Sequence, residues 1–186
     1  KSLDALRVEG RQRPFTPFDL PARLSVRSES TWENASSPNV IGMLPGSDPQ
    51  LASEYVILMA HLDHLGIEPK TRPGEDGIFN GAMDNAAGVA TMIEAARHFA
   101  RLGQRPRRSL IFMAVTGEER GLLGADYFAS HSTVPLKQIA AVVNLDMPLL
   151  LYDFSDVAAL GGEHSTVLAT LAEASLNPLN SLLLAV

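Results

Sequence analysis

Six side chains in this sequence have the types and the spacing to do chemistry together: His61, Asp63, Asp84, Glu118, Glu119 and Asp146. An imidazole and several carboxylates gathered in one place repel strongly unless a cation sits among them. Imidazole with carboxylate suits zinc, or less selectively cobalt or manganese. Two divalent ions roughly 3.5–4 Å apart, bridged by a carboxylate, would use this donor count well. Each residue alone also has a plainer reading. Taken alone, His61 reads first as a satisfied buried histidine, Asp84 as a helix N-cap, and Glu118 and Glu119 as first-turn acids favoured by the helix dipole. Asp146 reads equally as a turn residue. The His61-x-Asp63 spacing is more telling, because a carboxylate holding the second ring nitrogen commonly supports a metal-bound histidine.

The elements that must position these residues are legible as apolar runs. Residues 55–60 (Y-V-I-L-M-A) and 109–115 (S-L-I-F-M-A-V) lack in/out alternation, as strands buried on both faces do. Residues 24–27, 39–44, 139–145 and 157–160 read as further strands, and the apolar stretch 179–186 reads as another. Val89, Met92, Ile93, Ala96 and Phe99 fall at helical spacing within 85–102. Residues 121–130 and 165–175 read as helices, and 66–81 as a Gly/Pro-rich loop. Strands alternating with helices predict an α/β fold: three layers, α/β/α, with a mixed and mostly parallel sheet covered on both faces. His61, Glu118 and Asp146 each follow one of the buried runs, and Asp84 opens a helix. Ligands bind at the carboxyl ends of the strands in such sheets, so these clusters converge if the strands are parallel neighbours.

Composition narrows the possibilities. The 186 residues allow one sizeable core, and the 46% hydrophobic and 19% charged residues fit a globular chain rather than a disordered one. A net charge of −6 argues against nucleic acid as a partner. The basic cluster from Arg97 to Arg108 reads as a solvated helix end and loop. No apolar run reaches the roughly 18 residues of a membrane span. Cysteine is absent, which leaves His, Asp and Glu as the metal ligands available. The chain starts at Lys1 with no signal peptide and reads as a fragment, with residues 1–22 a lead-in or linker and 23–186 the domain that carries the site.

The stretches A-H-L-D-H-L-G (60–66), N-G-A-M-D-N-A-A-G-V-A (80–90), T-G-E-E-R-G-L-L-G (116–124) and N-L-D-M (144–147) resemble, in order and spacing, the co-catalytic zinc aminopeptidase family. That family also includes relatives of glutamate carboxypeptidase and the transferrin receptor. The resemblance implies two zinc ions bridged by Asp84, with His61 and Asp146 completing one site and Glu119 binding the other. It implies Glu118 as general base, Asp63 as the residue orienting His61, and as substrate a peptide or small protein with a free N-terminus. It further implies export to a secreted or periplasmic location, and a protease-associated domain ahead of residue 23 in multidomain relatives. One departure is visible: the family's second zinc takes a late His in a Ser-Asp-His-like segment, and nothing after Asp146 matches it, so the resemblance implies that 23–186 is a zinc peptidase catalytic domain incomplete at its C-terminal end. His164 reads as a pocket-rim or capping residue, and His64 and His131 as rim and surface residues. The alternatives are a carboxypeptidase acting on acidic C-termini, a glutaminyl cyclase, and a non-catalytic receptor-like or scaffold member with an incomplete metal site.

Overall fold

The computed structural model describes residues 3–12, 23, 25–68, 74–148, 161 and 164–175. The chain divides into two compact units, Lys1–Ala35 and Ser36–Val186. In the first unit, helix α1 (Leu3–Gln12) occupies the stretch expected to be a plain lead-in, with Asp4 in its first turn and Arg11 in its last, both favourable to the helix dipole. The strand expected at 24–27 is not seen in the described residues there. Residues 25–27 carry no regular structure, and Val26 is 74% exposed, so nothing repays the ordering of a strand.

The second unit is built on a four-stranded sheet in the order β1 (Val40–Leu44), β5 (Ser109–Val115), β2 (Tyr55–His61), β6 (Ile139–Asn144). β2 runs parallel to both of its neighbours, whereas β1 is antiparallel to β5. The sheet is therefore mixed and mostly parallel. Its register is regular except between Tyr55 and Val56, which pair with Ile139 and Ala141, so that β6 carries one residue, Ala140, with no partner in β2.

The two central strands explain the layers. Along β5, Ile111, Met113 and Val115 pack with Ile57 of β2 and with Phe128 of helix α3 (Leu123–Ser130). Phe112, on the opposite face by alternation, meets Phe99 of helix α2 (Ala87–Arg101) at 6.5 Å between ring centroids. Each face of β5 thus has its own helix, and a strand so covered is apolar along its length, here from Leu110 to Val115. In α2 the stripe seen in the sequence buries Met92 and Phe99 but leaves Ile93 at 44% exposure.

The glycine-rich loop contains a small hairpin, β3 (Gly66–Ile67) against β4 (Ile78–Phe79). Helix α4 (Thr166–Ser175) matches the expected 165–175. The strands expected at 157–160 and 179–186 lie outside the described residues.

Candidate metal centre

β2 delivers His61 as its last residue, with its side chain 2% exposed. The chain then turns out through Asp63 and His64, both half-buried. His61 Nδ1 lies 3.0 Å from the main-chain carbonyl oxygen of Asp63, whose carboxylate is 3.9 Å from the same nitrogen. That carboxylate instead accepts from the main-chain N–H groups of Glu118, at 3.1 Å, and Glu119, at 3.3 Å. It ties the strand-end loop to the turn after β5.

Glu118 and Glu119 stand in that turn, ahead of α3. Gly117 and Gly121 take positive φ there, and the N–H groups of Gly121 and Leu122 bond back to the Glu118 carbonyl. The two glutamates are therefore not first-turn acids stabilising a helix. Asp84 lies in an irregular turn, Ala82–Ala86, with non-helical φ and ψ, and makes no capping hydrogen bond to α2. Capping does not account for it.

Asn85, 2% exposed, does the local structural work. Its side-chain amide donates to Leu145 O at 2.9 Å, and its Oδ1 accepts from the N–H of Gly88 (3.1 Å) and Met147 (3.2 Å). This straps the segment flanking Asp146, just past β6, to the start of α2.

The result is two trios of ligand atoms sharing one carboxylate. His61, Asp84 and Asp146 form one, and His64, Asp84 and Glu119 the other, the atoms of each lying within 4.8 Å of one another. His61 Nε2 is 3.0 Å from Asp84 Oδ1 and 3.4 Å from Asp146 Oδ1. It is buried and has no hydrogen-bond partner, which a satisfied core histidine would have. A buried nitrogen lone pair aimed between two carboxylates, with no partner from the protein, is what a cation-binding imidazole looks like. Burial by itself lowers the pKa of His61, but the charges of Asp146, Glu118 and Asp84 and the Asp63 carbonyl outweigh it and the net shift is upward. Met59, Val115, Leu122 and Ala125 line a small pocket together with His61 and Glu118.

All six residues singled out in the sequence meet here. The reading missed two. His64 belongs to the second trio rather than a rim, and its signal was a second imidazole three residues after His61 at a strand exit. Asn85 gave no signal, because its partners, Leu145 and Met147, are remote in sequence. His131 is exposed and stacks on Tyr127 at 4.4 Å between ring centroids, and His164 is exposed at the turn before α4.

The chain is similar to known proteases. A protein of Pyrenophora teres f. teres described as "Probable zinc metalloprotease" is 38% identical over 109 residues, covering 58% of this chain and 22% of the relative. A vacuolar membrane protease of Lachancea thermotolerans is 31% identical over 122 residues, covering 66% of this chain and 11% of the relative. The chain thus spans only a fraction of the length of the curated relatives it matches. A crystal structure of a zinc aminopeptidase from Bacillus subtilis superposes with a TM-score of 0.54 at 27% identity, over 74% of this chain and 31% of that one. The expectation of a secreted or periplasmic location is corrected: three of the matching relatives, all from yeasts, are vacuolar membrane proteases. No described helix of this chain is long and apolar enough to cross a membrane. The sequence pattern of peptidase family M28 matches residues 39–182, four-fifths of the chain's length to within a few residues, and the chain belongs to that family.

Proposed function

We propose that this chain is the catalytic part of a zinc-dependent aminopeptidase, with residues 23–186 contributing to the catalytic domain and residues 1–22 leading into it. The observation that carries the reading is the pair of ligand trios hinged on Asp84, one of them holding a buried histidine nitrogen that lacks a partner. His61, Asp84 and Asp146 would hold one ion, and Asp84 and Glu119 would take part in holding the other. When bound, zinc supplies Lewis acidity, bringing the pKa of water towards ~7 and polarising the scissile carbonyl.

The protein's own part is proton handling and alignment. Glu118 belongs to neither trio, yet it is near enough for its charge to raise the pKa of His61. It takes the proton of the attacking water and passes it to the leaving amine. The Asp63 carboxylate fixes the backbone of both glutamates, so that one faces the ions and the other the water. The preference for a free N-terminus draws support from the likeness to the Bacillus subtilis zinc aminopeptidase.

The test combines metal content with turnover. About two zinc per chain are expected by elemental analysis, with hydrolysis of aminoacyl anilides. Glu118→Gln should keep the zinc and lose about 10²–10⁴-fold in rate, the usual contribution of a positioned acid or base. Equal rates would remove Glu118 from its role, and a zinc-free chain would favour the scaffold reading. Peptides blocked at one end or the other separate an aminopeptidase from a carboxypeptidase.

A further inference from the structure

We infer that His64 is itself a ligand of the second ion, completing a three-residue set with Asp84 and Glu119; the inference rests on the metallic reading of the centre. His64 leaves β2 on the same sheet edge as His61. Its Nδ1 stands 2.7 Å from Glu119 Oε1 and 3.8 Å from Asp84 Oδ2. The ring is held from behind: Phe79 of the β3–β4 hairpin meets it edge to face at 6.3 Å between centroids. Gly81 also comes so close that a Cβ built there would fall 3.0 Å from His64 Cβ. A hairpin and a close-approaching glycine thus hold this imidazole against two carboxylates.

The second, independent observation lies across Asp84. The buried and unpartnered His61 Nε2 already marks that carboxylate as shared with a cation, and the other Asp84 oxygen is the one turned to His64. The chemistry of the donors sharpens the case. Asp84 and Glu119 alone form an all-oxygen site, which suits magnesium, calcium or manganese. Adding an imidazole moves the preference to zinc or cobalt. It also gives three protein ligands with a position left open, the usual arrangement of a catalytic zinc.

His64 has one competing role, a hydrogen bond from Nδ1–H that simply positions Glu119. His64→Asn separates the two. The asparagine amide nitrogen can stand near the place of Nδ1 and donate the same hydrogen bond, but an amide is a poor ligand for zinc or cobalt. The experiment titrates the metal-free full chain with Co²⁺, following visible absorption and bound metal, in wild type, His64→Asn, His64→Ala and His61→Ala. Two cobalt per wild-type chain are expected. In both His64 variants the second should bind at least about tenfold more weakly, with the hyperfine-shifted ring-proton resonances of one imidazole missing from the NMR spectrum. Circular dichroism confirms that each variant is folded. Two cobalt bound with wild-type affinity in His64→Asn would overturn the assignment and leave His64 as a positioning residue. Cobalt binding that His61→Ala leaves unchanged would instead overturn the metallic reading of the whole centre, so the two failures are distinguishable.

Discussion

Asp63 shows what one residue can do when its main chain and side chain face different partners. Its carbonyl oxygen holds the His61 ring, while its carboxylate collects the Glu118 and Glu119 amides. The His61-x-Asp63 spacing was legible in the sequence. Which oxygen reaches the ring was not, since at a separation of two residues either can. Asp63→Asn keeps the shape but offers one acceptor and an NH₂ group where two amide donors converge, so the glutamate turn should loosen. Removing such supporting contacts typically costs about 10–100-fold in metal affinity. Zinc competition against a chelator measures it. Unchanged affinity would mean that the turn after β5 holds its shape without this carboxylate.

At the scale of elements, α2 and the segment past β6 meet so closely that a hydrogen atom decides the fit. Gly88, in the first turn of α2, is buried, and a Cβ there would fall 2.3 Å from Asn85 Oδ1 and 2.4 Å from Leu145 O. Helix propensity favours Gly88→Ala by up to about 1 kcal/mol. The collision with main chain and with the Asn85 strap outweighs it, and overpacking of this kind costs about 1–3 kcal/mol. Urea denaturation of Gly88→Ala should show a net loss of stability, together with weaker metal binding as Asp146 shifts. A more stable variant with intact metal content would contradict this. The body of α2 was legible because its apolar spacing covers several turns. Its start was not, because Asp84 and Asn85 carry helix-compatible identities but non-helical backbone angles. The strands of the β3–β4 hairpin, two residues each, are too short to show any period.

For the molecule as a whole, the centre joins residues from four separate stretches of chain, and the repulsion among its carboxylates opposes the fold until cations arrive. Metal that binds the native and not the unfolded chain stabilises by mass action, about 2.7 kcal/mol at a hundred times the dissociation constant. Thermal melts should therefore fall on chelation and recover with added zinc, and a melting temperature indifferent to chelator would speak against a metal tied to folding. The meeting of the clusters at one sheet edge was legible, since parallel strands send their carboxyl ends the same way. The strand order β1-β5-β2-β6 was not, because it depends on contacts that no local pattern encodes. The unpaired residue in β6 ties register to reactivity. With Ala140 passed over, Met59 pairs with Asn144, and two steps further Asp146 comes level with His61. Without that insertion Leu145 would occupy the place and Asp146 would turn to the far side of the sheet. A single alanine near the beginning of a strand thereby decides whether its far end meets the histidine with an anion or with a hydrocarbon.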